Sequence, residues 1–330
     1  MRGAEPGWRG ALAPGERALL RAGPPPGGAA AMKATLTDER FSDPAWIFER
    51  KLDGIRCIAV RDGGRVRLLS RNDLSLDGRY PEIAEALAGQ PRERFALDGE
   101  VVAFEGSQTS FARLAQRGHR RVDVFLYVFD VLWLDGHDVR GLPLLARKRL
   151  VRTALAFAGP VRLTPYRRER GEEFFEEACR KGWEGLIAKR GDRPYAARRS
   201  RDWLKLKCEH GQELVIGGFT APQGTRTELG ALLLGYYDDG ALRYAGKVGT
   251  GFDRTTLRQL GERLRALRRD DPPFAAAASI KERAVTWVEP ELVAQIGFTE
   301  WTGAGRLRHP RFLGLRDDKA ATEVVRERPR

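Results

Sequence analysis

Residues 49–56 of this sequence read Glu49-Arg50-Lys51-Leu52-Asp53-Gly54-Ile55-Arg56. The preceding residues predict a strand over Ala45–Lys51, on which Glu49 and Lys51 point the same way because strand side chains alternate. The Asp-Gly pair predicts a tight turn directly after the strand. The Lys51 amine would then stand at the lip of a cleft with rigid backbone behind it. Taken alone, the segment is more typical of an exposed turn lysine.

Lysine is rare in this chain, with 10 Lys among the 58 Lys and Arg residues. Arginine serves wherever a generic positive charge suffices, so lysine should be enriched where an amine must lose its proton or act as a compact point charge. Half of the lysines fall in the segments discussed here, namely Lys51, Lys189, Lys205, Lys207 and Lys319.

The composition limits the classes of protein that fit. A length of 330 residues predicts about two domains, and no apolar run approaches the roughly 20 residues that cross a bilayer. The N-terminus has no secretory pattern, so we expect a cytoplasmic, nucleoid-associated protein. The net charge of +13 favours nucleic acid or an acidic membrane as partner, although a genome-wide bias towards arginine would produce it too.

The cysteine content indicates neither a disulfide framework nor a zinc site. Cys57, Cys179 and Cys208 are an odd, scattered set without a CxxC pair.

The hydrophobic pattern predicts an α+β fold in which antiparallel sheets dominate. We expect a disordered Gly/Pro-rich leader or linker over residues 1–31, a first domain over 32–208 and a small oligonucleotide-binding (OB) barrel over 209–330. Strands are predicted at Ile55–Val60, Val66–Ser70, Phe95–Phe104, Val124–Leu134, Leu186–Lys189, Trp203–Lys207, Leu214–Thr220, Ala231–Tyr237, Leu242–Val248 and Val293–Thr302. Helices are predicted at Pro81–Leu87, Arg147–Phe157, Glu172–Arg180 and Thr255–Arg268.

Three predicted strands carry polar or aromatic groups on one face. Asp98 and Glu100 share a face of a valine-rich strand, which is costly unless they are paired or bind a metal or a sugar. Phe129 could stack on a purine, although core packing is the commoner role. Lys205 and Lys207 share a face, where a phosphate would satisfy both; they would also lower the pKa of a nearby amine such as that of Lys51.

In this order, the segments resemble the motifs of the covalent nucleotidyltransferases: ATP-dependent DNA ligases, RNA ligases and mRNA capping enzymes. Lys51-Leu52-Asp53-Gly54-Ile55-Arg56 is similar to their K-x-D-G-x-R motif, and Arg316-Asp317-Asp318-Lys319 to R-x-D-K. The resemblance covers roughly residues 34–322. Trp203–Lys207 and the string at 246–252 look most like the ligase module of bacterial end-joining DNA ligases.

The resemblance implies a role for each matching residue. Lys51 would be the nucleophile on the α-phosphate of ATP, Glu49 and Phe129 would hold adenine, and Glu100 and Glu184 would serve the ribose or a catalytic Mg²⁺ or Mn²⁺. The remaining nucleotide contacts would be Arg56, Arg71, Lys189, Lys205, Lys207, Arg316 and Lys319. Lys247 and Arg311 would contact DNA.

The implied activity is ATP-dependent sealing of nicked or broken duplex DNA by a monomer, with end-joining proteins as possible partners. Two alternatives stay open from the sequence. One is an RNA ligase or a GTP-dependent capping enzyme, and the other is a DNA-end-binding scaffold without chemistry.

Overall fold

The computed structural model describes residues 7–118, 121–208, 210–222 and 228–328. The chain forms two compact units, residues 1–208 and residues 209–328, which we call unit 1 and unit 2. Within the described residues, no helix has both the length and the apolar character needed to span a membrane.

Unit 1 combines two sheets with short helices. Its helices are α1 (Pro14–Arg17), α2 (Pro81–Ala88), α3 (Phe111–Ala115), α4 (Leu144–Ala154) and α5 (Gly171–Arg180). Its strands are β1 (Arg21–Ala22), β2 (Lys33–Leu36), β3 (Trp46–Arg50), β4 (Ile55–Asp62), β5 (Arg65–Leu69), β6 (Arg94–Glu105), β7 (Gln108–Thr109), β8 (Val124–Leu134), β9 (His137–Asp138), β10 (Val161–Leu163), β11 (Tyr166–Arg168), β12 (Gly185–Arg190) and β13 (Arg199–Lys207).

The large sheet of unit 1 has the order β1-β9-β8-β6-β4-β5, with β10 on β8 and β7 on β6. All its pairings are antiparallel except that of β10 with β8. One face packs on α2, α3 and α4 through a core that includes Cys57, Leu97 and Val128. The other face, with Ile58 and Phe129, packs with Trp203 from the small sheet. This second face therefore borders the space between the two sheets.

The small sheet has the order β11-β3-β12-β13-β2. One of its faces is apolar because Phe48, Leu186 and Leu206 are buried against Phe174 and Phe175 of α5. The opposite face is thereby free to carry the charged residues of β3, β12 and β13.

Unit 2 is a coiled antiparallel sheet with one long helix among its described residues. Its elements are β14 (His210–Thr220), β15 (Leu232–Asp238), β16 (Ala241–Val248), α6 (Arg254–Ala266), β17 (Arg268–Arg269), β18 (Val285–Val288), β19 (Val293–Phe298), β20 (Glu300–Trp301), β21 (Leu307–Arg308) and β22 (Arg311–Leu315). β14 pairs with β15, β18 and β19 in turn, which curves the sheet around one apolar core. The predicted α+β class and the OB-type second domain are confirmed.

The prediction of a disordered leader is wrong for residues 7–31. Trp8 and Leu12 are buried in the core that holds α4, and Arg21–Ala22 pairs with β9. The indole N–H of Trp133 donates a hydrogen bond to the Gly23 carbonyl (2.6 Å). The Gly/Pro content suggested disorder, but a few apolar anchors are enough to fix the segment on the sheet.

Two predicted element boundaries also differ from the structure. The helix expected at Arg147–Phe157 begins at Leu144, directly after Pro143, and ends at Ala154 because Leu155 is extended. The strand expected at Val293–Thr302 divides into β19 and β20, which belong to different sheets.

The prediction that the cysteines form no disulfide is wrong as well. Cys179, in the last turn of α5, forms a disulfide with Cys208, which follows β13, while Cys57 is a buried free thiol. The two partners are 29 residues apart in sequence, and only the pairing of α5 with β12 and β13 in space brings them together.

Candidate active site

The Lys51 amine forms an ion pair with Glu184, with Nζ 2.5 Å from Oε2. Both side chains are about four-fifths buried. Burial lowers the pKa of Lys51, but the carboxylates of Glu184, Asp53 and Glu100 outweigh it and hold this pKa above its ordinary value. The predicted lowering of the Lys51 pKa by Lys205 and Lys207 is therefore wrong for this structure, because a carboxylate pairs directly with the amine.

The lysines of the small sheet lie on the same face as Lys51. Glu49, Ile187 and Lys205 oppose one another across β3, β12 and β13. In the next row, the Lys51 N–H donates to the Gly185 carbonyl (2.9 Å). Gly185 in turn pairs with Lys207, and directly opposed residues of a sheet share a face.

The predicted alternation on β13 is confirmed. Lys205 and Lys207 are half-buried, whereas Leu204 and Leu206 are buried in the core against α5. The two ammonium groups thus stand on the charged face, two residues apart.

Gly185 is required at the centre of this face. Its φ is +144°, and a Cβ there would lie 1.9 Å from the carbonyl oxygen of Leu206. Any other residue would push β12 away from β13. The row that joins Lys51 to Lys207 therefore depends on glycine.

Glu49 is the centre of a buried charge cluster that the sequence did not predict in full. Its carboxylate contacts Lys148 of α4 and Lys189 of β12, the latter at 2.6 Å, and all three side chains are 2% exposed. Burial lowers the pKa of Lys189 to about 8, with Lys148 adding to the effect and Glu49 opposing it. Lys148 was missed, although the rarity of lysine in this chain was a signal that could have found it.

Lys189 also lies against two aromatic rings. Its Nζ is 4.1 Å from the centre of the Phe129 ring and 4.0 Å from that of Trp203, within the range of cation–π attraction. The rings of Phe129 and Trp203 meet edge to face at 6.1 Å. Lys189 thus contacts both Phe129 and Glu49. That these two residues hold adenine stays a prediction.

Arg56 is held by Asp98 in a two-point contact, with Nη2 2.6 Å from Oδ2. The Tyr195 hydroxyl donates to the same carboxylate (2.6 Å) and accepts from the Met32 N–H (2.8 Å). Asp98, fully buried, is therefore paired, as its placement on an apolar strand required. The pKa of Arg56 is raised because Asp98 outweighs burial.

A further buried ion pair joins β8 to α4. Asp130 and Arg147 are both fully buried, with Nε–Oδ1 and Nη2–Oδ2 distances of 2.8 and 2.9 Å. This pair fixes α4, which carries Lys148, to β8, which carries Phe129. The sequence alone could not show that Asp130 pairs with Arg147, because α4 lies against β8 only in the folded protein.

The remaining predicted residues of unit 1 are Glu100 and Arg71. Glu100 is half-buried and close enough to act on the charge of Lys51, and Arg71 lies in the turn after β5. Within the described residues, no group of three or more His, Cys, Asp or Glu side chains is arranged to hold a metal.

In unit 2, the residues of the R-x-D-K motif pair with carboxylates of their own unit. Arg316 is buried and contacts Asp318, with Nε–Oδ1 at 2.8 Å. The Lys319 amine lies 3.1 Å from Glu213 of β14. The side chains of Arg316 and Lys319 are therefore each held by a carboxylate of unit 2.

The two predicted DNA contacts are on the surface of unit 2. Lys247 of β16 is about half exposed and pairs with Glu282 (2.7 Å). Arg311 is exposed at the start of β22.

Comparisons with known proteins identify the family. The family model described as ATP dependent DNA ligase domain matches residues 29–207, and that of the ATP dependent DNA ligase C terminal region matches residues 225–319. The chain is 39% identical over 293 residues to the multifunctional non-homologous end joining protein LigD of Pseudomonas aeruginosa, covering 86% of this chain and 35% of that protein. It is 38% identical over 286 residues to the LigD repair protein of Mycobacterium tuberculosis, covering 86% and 37%.

A solved structure is similar over nearly the whole of its length. The mycobacterial DNA ligase D complexed with ATP and MES has a TM-score of 0.66 and 36% identity, and the match covers 90% of this chain and 97% of that one. This chain spans little more than a third of the length of the curated relatives named above.

Fold and site together define a nucleotidyltransferase domain of antiparallel sheets followed by an OB-fold domain. The chain belongs to the family of ATP-dependent DNA ligases.

Proposed function

We propose that this chain seals 5′-phosphate/3′-hydroxyl breaks in duplex DNA through an AMP carried on Lys51. The Lys51 nitrogen attacks the α-phosphorus of ATP, loses its proton and expels pyrophosphate, leaving an N–P bond. The 5′-phosphate at the break then takes the AMP and releases the amine. Finally the adjacent 3′-hydroxyl attacks that 5′-phosphorus, forms the phosphodiester and expels AMP.

The observation that carries this proposal is the row formed by Lys51, Gly185 and Lys207 on the charged face of the small sheet. A phosphate placed beside the Lys51 amine would be flanked by the ammonium groups of Lys205 and Lys207. Phosphoryl transfer depends on in-line positioning and charge neutralisation, and lysines on rigid strands would contribute to both.

The site residues divide into four proposed roles. Glu49 and Phe129 would receive adenine, with Lys189 moving aside from the ring. Arg56 and Arg71 would contact the sugar or phosphates, and Glu100 the ribose. Lys205 and Lys207 would hold the α-phosphate, and Arg316 and Lys319 the departing pyrophosphate.

Glu184 and Glu100 fit a divalent metal, Mg²⁺ or Mn²⁺. Both carboxylates act on the Lys51 amine, and Mg²⁺ takes few protein oxygens when phosphates and water complete its shell. A metal bound there would supply charge neutralisation for the phosphates. A Glu184 carboxylate drawn towards a cation would also hold the Lys51 proton less strongly.

The substrate and setting are proposed from the charge and from the relatives. The +13 charge and the exposed Lys247 and Arg311 favour a DNA phosphate backbone. The names of the similar LigD proteins suggest end joining, with other end-joining proteins as partners. We expect a monomer that acts on DNA in the cytoplasm and associates with the nucleoid.

The test is sealing of a 5′-labelled nicked duplex by the purified protein, with ATP or GTP and a divalent metal. ATP-dependent conversion to the full-length strand is the expected result. Sealing with GTP, or only of a nick in RNA, would instead favour the capping or RNA ligase alternatives. Binding of the duplex without sealing would favour a scaffold.

A further inference from the structure

A cavity of about 320 Å³ lies beside the Lys51 strand in unit 1, and we call it the Arg50 cavity. Its lining includes Arg50 and Leu52, the two chain neighbours of Lys51, but neither Lys51 nor the other residues assigned above to ATP. Arg50 pairs with the buried Leu186 in the row next to Glu49, so alternation points Arg50 away from the charged face. The strand itself therefore separates this cavity from the proposed nucleotide site.

Arg50 is a half-buried cation with unused hydrogen-bond donors. Its guanidinium lies on the Trp183 ring, 4.5 Å from the centre, and Nη1 donates weakly to the Ser107 carbonyl (3.3 Å). Nε and Nη2 are buried and have no hydrogen-bond partner in the part of the chain that the structure describes. A guanidinium in this condition favours a two-point anion such as phosphate.

Thr164 gives a second, independent indication of a ligand. Its side chain lines the same cavity and is 2% exposed. Its hydroxyl has no partner within the described residues. Leaving a buried hydroxyl unbonded costs free energy, and a polar group of a ligand in the cavity would remove that cost.

The other lining residues indicate what the ligand carries besides an anion. Phe104, Tyr127, Tyr166, Phe174 and Trp183 supply aromatic surface, on which a planar base stacks. The cations Arg50, Arg167 and Lys181 face the single carboxylate Glu177 among the lining residues. Arg167 and Lys181 each contact Glu177 at 2.5 Å, which leaves Arg50 as the cation without a carboxylate.

We propose that the Arg50 cavity binds a phosphorylated nucleoside other than the AMP carried on Lys51. Arg50 takes the phosphate, Thr164 takes a polar group of the sugar or base, and the aromatic side chains take the base. The ligand is either a free mononucleotide such as released AMP or the 5′-phosphorylated terminal nucleotide of a DNA strand. Both sources present the same chemistry, and binding to this cavity goes beyond the proposed sealing reaction.

The test is calorimetric titration of protein that has first been fully adenylylated on Lys51, as checked by intact mass. One titrant is AMP; the others are a 5′-phosphorylated trinucleotide and its unphosphorylated form. We expect saturable binding of one phosphorylated ligand per chain. Arg50→Gln should weaken it about 10-fold or more, and Thr164→Val about threefold. Arg180→Gln removes an exposed charge of α5 and should leave the affinity unchanged.

The outcomes distinguish a free nucleotide from a DNA strand end as the ligand. They also distinguish failure of the cavity proposal from failure of the proposed sealing reaction. Tighter binding of AMP supports the free nucleotide, and tighter binding of the trinucleotide, lost without its phosphate, supports the strand end. No saturable binding, or binding that Arg50→Gln and Thr164→Val leave unchanged in folded protein, overturns the proposal. If Lys51 accepts no AMP, the sealing reaction fails separately, and the same titrations on Lys51→Ala protein still decide the cavity.

Discussion

Glu184 holds the proton of Lys51 in this structure, because its carboxylate lies 2.5 Å from the amine. The resulting pKa of Lys51 is above the ordinary value of 10.5. A protonated amine cannot attack phosphorus, so the same carboxylate that orients Lys51 also keeps it inactive until the proton is released.

Glu184→Gln should therefore move the alkaline rise of the adenylylation rate to lower pH. Burial, which remains, lowers the pKa of Lys51, and Glu184, the carboxylate that raised it most, is gone, while Asp53 and Glu100 remain. The measurement is the initial rate of AMP transfer against pH, followed by intact mass. An unchanged profile, or one moved to higher pH, would contradict the role of Glu184.

The same substitution has a stability readout. A lysine pKa raised by folding stabilises the fold fully below the unfolded value, and this contribution is lost as pH rises through the folded value. The free energy of unfolding of wild-type protein should therefore fall above about pH 10.5. Glu184→Gln protein lacks the contribution of the Lys51–Glu184 pair, so its fall should be smaller.

Glu49→Gln should destabilise unit 1 more than Lys148→Met. The first change leaves the buried ammonium groups of Lys148 and Lys189 without their shared anion, which should cost about 3–5 kcal/mol. The second keeps the Glu49–Lys189 pair and replaces Lys148 by an apolar chain of similar length. Urea unfolding of the two variants measures the difference. Equal losses of free energy would show that Glu49 does not bridge the two lysines.

Thiol titration tests the disulfide directly. Unfolded, unreduced protein should expose one reactive thiol, that of Cys57, and reduction should raise the number to three. Reduction should also lower the free energy of unfolding by about 2–4 kcal/mol, since the bridge closes a loop in the unfolded chain. Three thiols before reduction would rule out the Cys179–Cys208 bridge.

Lys319→Ala should impair the first step of the reaction far more than the last. The β- and γ-phosphates that Lys319 is proposed to hold leave as pyrophosphate, so self-adenylylation should slow about 100-fold. Sealing of a nick that already carries AMP should stay close to the wild-type rate. Lys205→Ala is the matched comparison and should slow both, because its α-phosphate partner persists. Equal failure of both variants on the pre-adenylylated nick would remove the step-specific role.

The sequence predicted the long strands and the residues on them, because periodicity and local turn chemistry are properties of adjacent residues. The placement of Lys205 and Lys207 on one face of β13 was predicted in this way. It did not predict the partners supplied by distant segments. Glu49 meets Lys148 from α4, Asp130 meets Arg147, and Cys179 meets Cys208 only after the sheets have paired. The short edge strands β1, β10 and β11 were missed because two or three residues carry no periodic pattern.

Residues 7–31 illustrate the opposite error. Their Gly and Pro content predicts disorder on average, yet Trp8 and Leu12 are buried in the core. Average composition does not show that a few apolar residues of this segment pack beside α4, or that the segment pairs with β9.

The most direct test of the central claim is intact mass after incubation with ATP and Mg²⁺, followed by peptide mapping. Wild-type protein should gain a single AMP on Lys51. Lys51→Arg protein should gain none, although its charge is kept, because a guanidinium stays protonated and is a poor nucleophile. An adduct on any other residue, or a normal adduct in Lys51→Arg protein, would contradict the account.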